Sequence, residues 1–251
     1  MLLEIPGGGV WLYDAGSLTD FRIAGRVIAD VLWQRGHSRL HGVFLSHADL
    51  DHFNAVPFLL PRFYPQQIMV SERMHQQLFP HQQNRAGVAT RHLADCLKDE
   101  QISVEILAAR EQLTLGSVSM EVLAPVRNHE YSSDNDASLV LLLKYADSRL
   151  LLPGDIEQEG IELLTFNHPR RSHDVVMVPH HGSLHSEPRV FSHWSWPRFA
   201  VVSTGHEAIS SIVSESYQQV ADQRGGSMML TSLHGMIEFR LGTNGLEPVT
   251  Q

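Results

Sequence analysis

Four potential metal ligands stand within six residues of this chain, in His47-Ala48-Asp49-Leu50-Asp51-His52. They follow directly on Val43-Phe44-Leu45, an apolar run that reads as a short buried strand. A loop leaving a strand can turn such a set toward one point, because no regular element forces the side chains apart. Imidazole suits zinc and its neighbours, and carboxylate suits manganese and magnesium, so the mixed set predicts a divalent cation. A polar turn with Asp51 or Asn54 as helix cap is the plainer alternative. It does not explain four donors in six positions.

Composition bounds the remaining choices. The chain holds a single cysteine, Cys96, so no internal disulfide framework and no thiolate cluster can be built from it alone. Cys96 falls with Leu93 and Leu97 on one helical face and reads as core. A hydrophobic share of 43% over 251 residues is enough for a sizeable core and excludes a disordered tail. The formal net charge of -9 excludes a general basic field that would draw nucleic acid. Sixteen histidines are many for this length, and their placement decides what the count means.

No apolar run approaches the ~20 residues that span a bilayer, and the first residues lack the pattern of a signal peptide. Strands are expected at Leu2–Ile5, Val10–Tyr13, Gly42–Leu45, Ile102–Leu107, Val118–Leu123, Leu139–Tyr145, Arg149–Leu152, Val175–Val178, Ala200–Ser203, Met228–Thr231 and Met236–Leu241. Pro6-Gly7-Gly8-Gly9 and Ala146-Asp147-Ser148 read as hairpin turns. Ile23, Val27 and Val31, with Ile28 and Leu32, form the apolar stripe of a helix that stops at Gly36. Another helix is expected near Glu215–Gln223. The pattern predicts an α/β (α+β) chain with two sheets covered by helices, in one domain over residues 1–251.

Three further ligand-type groups also follow predicted strands. Asp14-Ala15-Gly16 comes after Val10–Tyr13, Gly154-Asp155 after Leu150–Leu152, and Pro179-His180-His181-Gly182-Ser183 after Val175–Val178. With these in order, the hexad resembles the His-x-His-x-Asp-His signature of the metallo-β-lactamase superfamily, with Asp49 in place of the second histidine. Adding Asn135-Asp136-Ala137-Ser138-Leu139-Val140-Leu141 and Pro153-Gly154-Asp155-Ile156-Glu157, the chain is similar to the carboxy-terminal domain of ComEC-type competence proteins, which act in DNA uptake.

The resemblance implies a metallo-β-lactamase αβ/βα sandwich holding one or two divalent metal ions, Mn or Zn with Mg possible. It implies that Asp14 supports the metal loop from behind and that Asp155 bridges two ions. His47, Asp49 and Asp155 would then serve one ion, and Asp51, His52, Asp155 and His181 the other. Asp49 hardens the first site relative to an imidazole. A third histidine for that site is not evident: His129 is available, but Asn135 sits better before its strand. Of the adjacent pair, which is expected to diverge on leaving the strand, His181 fits the ligand position. His180 is then either a donor to a scissile phosphate or a structural histidine. Asn135, Ser138 and Ser183 could bind phosphate oxygens, or cap a turn or helix.

The activity implied is metal-dependent phosphodiester hydrolysis, a nuclease on single-stranded DNA, with Asp51 orienting the attacking water. Two other readings stay open: a non-catalytic module that binds nucleic acid or a partner, and a hydrolase of small phosphoesters or thioesters. A membrane channel domain absent from this chain is an implied partner. The location expected is cytoplasmic for a whole protein, and membrane-associated or extracytoplasmic for a fragment of a ComEC-type protein. His37 and His41 are expected in solvent. His75, His81 and His92 lack convergent spacing, and His168, His173, His185, His193 and His234 stay unplaced. Arg62, Arg170 and Arg171 are phosphate contacts or plain surface, and Trp194 and Trp196 base-stacking platforms or core.

Overall fold

In the computed structural model, which describes residues 1–80, 87–205, 209–242 and 245–249, the chain divides into two units. The first is built from 1–108 with 115–117, the second from 109–114 with the remainder. His81 and His206 lie outside the described residues.

The first unit carries a five-stranded sheet in sequential order. Its strands are β1 (Leu2–Ile5), β2 (Gly9–Tyr13), β3 (Gly42–Leu45), β4 (Gln67–Ser71) and β5 (Ser103–Leu107). The glycine-rich turn makes β1 and β2 an antiparallel hairpin, and β2 through β5 run parallel. Parallel strands need crossovers, supplied by α1 (Phe21–Gln34), α2 (Leu50–Phe53), α3 (Val56–Phe63), α4 (Glu72–Leu78) and α5 (Val88–Asp99). Val43, Leu45, Ile68 and Val70 meet Leu32, Leu59, Leu60, Phe63 and Leu93 in one core, with Cys96 half-buried at its border.

One expectation about α1 is corrected. Ile23 and Val27 are 59% and 56% exposed, while Gly25, Ala29 and Leu32 face the core. Apolar residues at 23, 27, 28, 31 and 32 spread over about half of the helix circumference, so periodicity alone does not select which part of that arc is buried. Packing selects it. A Cβ at Gly25 would lie 2.6 Å from the Phe58 ring, so α1 makes its close approach on the small-residue face.

The second unit carries a seven-stranded sheet ordered β12-β11-β10-β9-β8-β7-β6. These strands are β6 (Gln112–Leu115), β7 (Val118–Ala124), β8 (Val140–Tyr145), β9 (Ser148–Leu152), β10 (His173–Met177), β11 (Pro197–Val202) and β12 (Ser227–Leu230). The β8–β9 pair is the expected hairpin, and β9 through β12 run parallel. The helices α6 (Gln158–Asn167), α7 (Pro188–Ser195) and α8 (Ser211–Gln223) supply the side chains that close the core over Leu142, Leu151, Val176 and Ala200. A short α9 (Thr231–His234) and the hairpin of β13 (Glu238–Gly242) and β14 (Gly245–Val249) complete the described chain. No helix among the described residues is long and apolar enough to cross a membrane.

Candidate metal centre

In the first unit, β3 ends at Leu45 and the chain turns at once into Ser46 and His47, both buried, before α2 begins at Leu50. Asp14, just past the end of β2 and in a left-handed conformation with φ 54°, reaches this turn. Its Oδ1 accepts from the Ser46 amide at 2.7 Å. Its Oδ2 accepts from the Ser46 hydroxyl at 2.7 Å and lies 2.8 Å from His52 Nδ1. A carboxylate on Nδ1 fixes the ring and makes Nε2 the atom that it could offer a metal. The imidazoles of His47 and His52 are 4.1 Å apart, centroid to centroid.

The same loop is stitched from the other side. Ala15 donates its amide to the His52 carbonyl at 2.7 Å, and Ala55 returns one to Ala15 at 3.1 Å. Asn54 exchanges two hydrogen bonds with the Ser17 backbone. Gly16 is where the strands of chain touch: a Cβ there would lie 2.4 Å from the Asp51 carbonyl oxygen. The Asp-Ala-Gly sequence is thus required by contact with the hexad.

The donors present an acidic, nitrogen-and-oxygen array. His47 Nε2 is buried and makes no hydrogen bond among the described residues, with an Asp49 oxygen 3.6 Å away. His52 Nε2 lies 3.8 Å from Asp51 Oδ2. The His47 imidazole holds the Asp49 carboxyl below its ordinary value, and partial burial opposes it. A buried imidazole nitrogen without a hydrogen bond is costly unless something else takes its lone pair. This donor set fits a divalent cation.

In the second unit, Asp155 follows β9 and is buried, its amide donating to the Ser138 hydroxyl at 3.2 Å. His180, His181 and Gly182 follow β10 with φ of 47°, 53° and 84°. Three successive left-handed residues counter the divergence expected for this pair. Both imidazole Nε2 atoms therefore come near one oxygen, Asp155 Oδ2, at 3.8 Å from His180 and 3.7 Å from His181. His181 Nδ1 donates to the Ser203 carbonyl at 2.9 Å, which leaves Nε2 for a ligand. His180 Nδ1 instead lies 2.9 Å from Glu157 Oε1, the oxygen that accepts from Asn135 Nδ2 at 3.1 Å.

Glu157 was not singled out from the sequence, although it stands two residues past Asp155 in the Pro153–Glu157 motif. Ser46 was also missed, since nothing local marks a serine as the bracket between Asp14 and the hexad. Ser138 is fully buried and serves the Asp155 backbone, and Ser183 caps the turn by accepting from the His185 amide. His129 pairs with Glu159 at 3.1 Å. His37 is half-buried against Glu4, and the exposed His41 accepts from the Val10 amide at 3.0 Å.

Residues 1–187 match the Metallo-beta-lactamase superfamily. The chain belongs to that superfamily. Its fold, two sheets with helices, is that of the family. Among curated relatives, ComE operon protein 3 of Bacillus subtilis (strain 168) is 24% identical over 220 residues, covering 88% of this chain and 27% of that protein. Competence protein ComA of Neisseria gonorrhoeae is 29% identical over 140 residues, covering 55% of this chain and 20% of that protein. The chain thus spans about a quarter of the length of these competence proteins. Among solved structures, a mutant of the β-hydroxylase CmlA, the diiron enzyme of Streptomyces venezuelae, aligns over 85% of this chain and 45% of its own. Identity there is 11% and the TM-score 0.51, a likeness of fold alone.

Proposed function

We propose that this chain is a metal-dependent phosphodiester hydrolase that cleaves single-stranded DNA in the course of DNA uptake. The observation that carries the reading is the buried, hydrogen-bond-free Nε2 of His47 within a histidine and carboxylate array. The likeness to competence proteins supports a nucleic-acid substrate. Residues 1–251 are read as one functional domain. A membrane channel domain, which this chain does not contain, is the partner of the reading, with a membrane-associated location.

His47, Asp49, Asp51 and His52 of the first unit, and Asp155 and His181 of the second, would be the ligands for one or two divalent ions; manganese and zinc suit the mixed donors best, and magnesium is accessible. Such ions supply Lewis-acid polarisation of a phosphoryl oxygen and lower the pKa of water bound to them. The protein does the rest. Asp51 orients the water, and the Asp14 carboxylate keeps His52 from turning. His180, with Nδ1 beside the Glu157 carboxylate, presents Nε2 as a donor to a phosphoryl or leaving oxygen, and Asn135 steadies Glu157. Ser183 borders the same turn and offers a hydroxyl to phosphate.

The test combines metal analysis with incubation of a labelled single-stranded oligonucleotide and Mn²⁺. Bound metal, cleavage abolished by EDTA, and loss of cleavage in Asp155→Ala and His52→Ala are expected. Variants that cleave like the native chain would refute the reading. Turnover of a small phosphodiester without cleavage of DNA would instead mark a small-phosphoester hydrolase. DNA binding without turnover of either would mark a non-catalytic module.

A further inference from the structure

The ligand-bearing loops leave the carboxyl ends of β9 and β10, and the opposite edge of the same sheet has a different chemistry. Val140, Leu142, Leu151, Val176 and Ala200 all belong to the core under the helices of the second unit. Strand side chains alternate, so Lys144, Arg149, Asp174 and Arg198, each two residues beyond that core, continue its face toward the edge. They also share one row. Lys144 is in register with Arg149, and the pairs Val175–Leu150 and His173–Pro197 put Asp174 between Arg149 and Arg198. Four adjacent strands at ~4.8 Å spacing make this row about 14 Å long.

More cations converge on the row. Arg170 and Arg171 lie in the segment that enters β10, and Arg224 closes α8. Arg224 NH1 donates to the carbonyls of His173 and Trp196, and its NH2 lies 3.8 Å from Asp174. Burial lowers the Arg224 pKa; Asp174 opposes this, while Arg198 and Arg149 add to it. These guanidiniums therefore feel one another. Lys144 and Arg171 share Glu121 at 2.7 and 3.7 Å. The guanidiniums of Arg149, Arg170 and Arg198 pair with no carboxylate among the described residues, although the Arg149 amide donates to Asp174 Oδ2 at 2.9 Å, in a chain with 28 acidic side chains against 19 basic ones. Asp147 stands in the β8–β9 turn, and Asp222, two residues before Arg224, accepts from Gln218 at 2.5 Å.

One aromatic ring lies against these arginines, and another is exposed close by in sequence. Trp194 is buried and donates its ring N–H to the His168 carbonyl, which makes it core. Trp196 is half-buried, with the Arg170 guanidinium 3.9 Å from its ring centroid. Phe166, four residues ahead of Arg170 at the end of α6, is 88% exposed. Cations that track a backbone beside rings open to stacking are what single strands bind. A lipid surface calls instead for a continuous apolar helix face, which a lone phenyl ring does not provide.

We propose that this edge is a second contact for a single-stranded polynucleotide, with Arg149, Arg170 and Arg198 taking backbone phosphates and Phe166 stacking a base. It rests on the single-stranded DNA reading above and extends it. The edge lies about 17 Å from the ligand end, the length of the five-residue β10, so it serves strands of several nucleotides and not short esters.

The test is fluorescence anisotropy of a labelled oligothymidylate of about 20 nucleotides, titrated with the full chain in EDTA at several salt concentrations. Binding without metal separates this proposal from hydrolysis: cleavage can fail while binding stands, and the reverse. Each phosphate contact on a single strand contributes roughly 0.7 to the slope of log affinity against log salt. Arg149→Ala/Arg170→Ala/Arg198→Ala is expected to lower that slope by about 2. Phe166→Ala should weaken binding at least about fivefold and leave the slope alone. Arg170→Lys, which keeps charge and loses the planar stack, should hold the slope and lose affinity, and it serves if the triple variant unfolds. Arg26→Ala/Arg39→Ala, exposed in the first unit, should match the native chain. No binding in EDTA, an unchanged slope in the triple variant, or an equal loss in the control pair would overturn the proposal. So would a dependence on these arginines seen with anionic phospholipid vesicles and not with DNA.

Discussion

His173 is a histidine that folding keeps neutral. It is 1% exposed, its Nε2 is buried without a hydrogen bond, and its Nδ1 lies 2.5 Å from the Ser195 carbonyl. Burial pushes its pKa down from 6.5 to about 4, helped by Arg149 and Arg224 and opposed by the Ser195 carbonyl and Asp174. Between these two values the unfolded chain binds a proton that the folded chain refuses, so stability must fall as pH falls. The contribution is whole above about pH 6.5, is lost progressively toward pH 4, and is flat below. A shift of this size corresponds to about 3 kcal/mol in full, of which roughly 2 kcal/mol is gone by pH 5. His173→Gln keeps an N–H for Ser195 and cannot titrate. Urea midpoints for both proteins at pH 7.5 and pH 5, followed by tryptophan fluorescence, give the comparison; Trp194 sits 6.0 Å from the His173 ring. The native chain should lose about 2 kcal/mol more than the variant over that interval. Parallel losses in the two proteins would refute the reasoning, since every other titrating group is common to both.

Three further outcomes follow from the first unit's loop and the second unit's turn. Asp14→Ala strands the Ser46 donors and releases His52, so metal affinity measured by calorimetry should fall roughly 10- to 100-fold, with a stability loss of about 1–3 kcal/mol. Gly16→Ala forces a methyl against the Asp51 carbonyl, and a thermal melt should show a loss on the order of 1–3 kcal/mol, recovered by no change of metal concentration. Glu157→Ala removes the carboxylate beside His180 Nδ1, so kcat on DNA should drop about tenfold, a part of the roughly 10²- to 10⁴-fold that a positioned proton donor contributes, while metal content stays at the native level.

Much of this was readable in advance, and the reason is locality. Asp14, the hexad, Asp155 and the histidine pair each follow a strand, and strand-then-loop order survives without any tertiary information. What stayed hidden depended on contacts distant in sequence. The burial of α1 was decided by Phe58 against Gly25, not by the helix's own pattern. The convergence of His180 and His181 on Asp155 came from left-handed backbone that a Pro-His-His-Gly string does not announce. Glu157 earned its role only through a partner in another loop. Trp194 and Trp196, two residues apart, parted into core and edge because one ends inside α7 and the other just after it.

The clearance at Gly16 makes one object of two motifs that lie 32 residues apart where Asp14 meets Ser46. Neither can be carried into another scaffold by itself. A transplanted hexad would arrive without the carboxylate that aims His52, and a transplanted Asp-Ala-Gly would have no carbonyl to close upon. On the proposed reading, freedom to retune the metal therefore lies at Asp49, whose carboxylate is exposed. At Asp14, Gly16, Ser46 and His52 every change is a change to the frame.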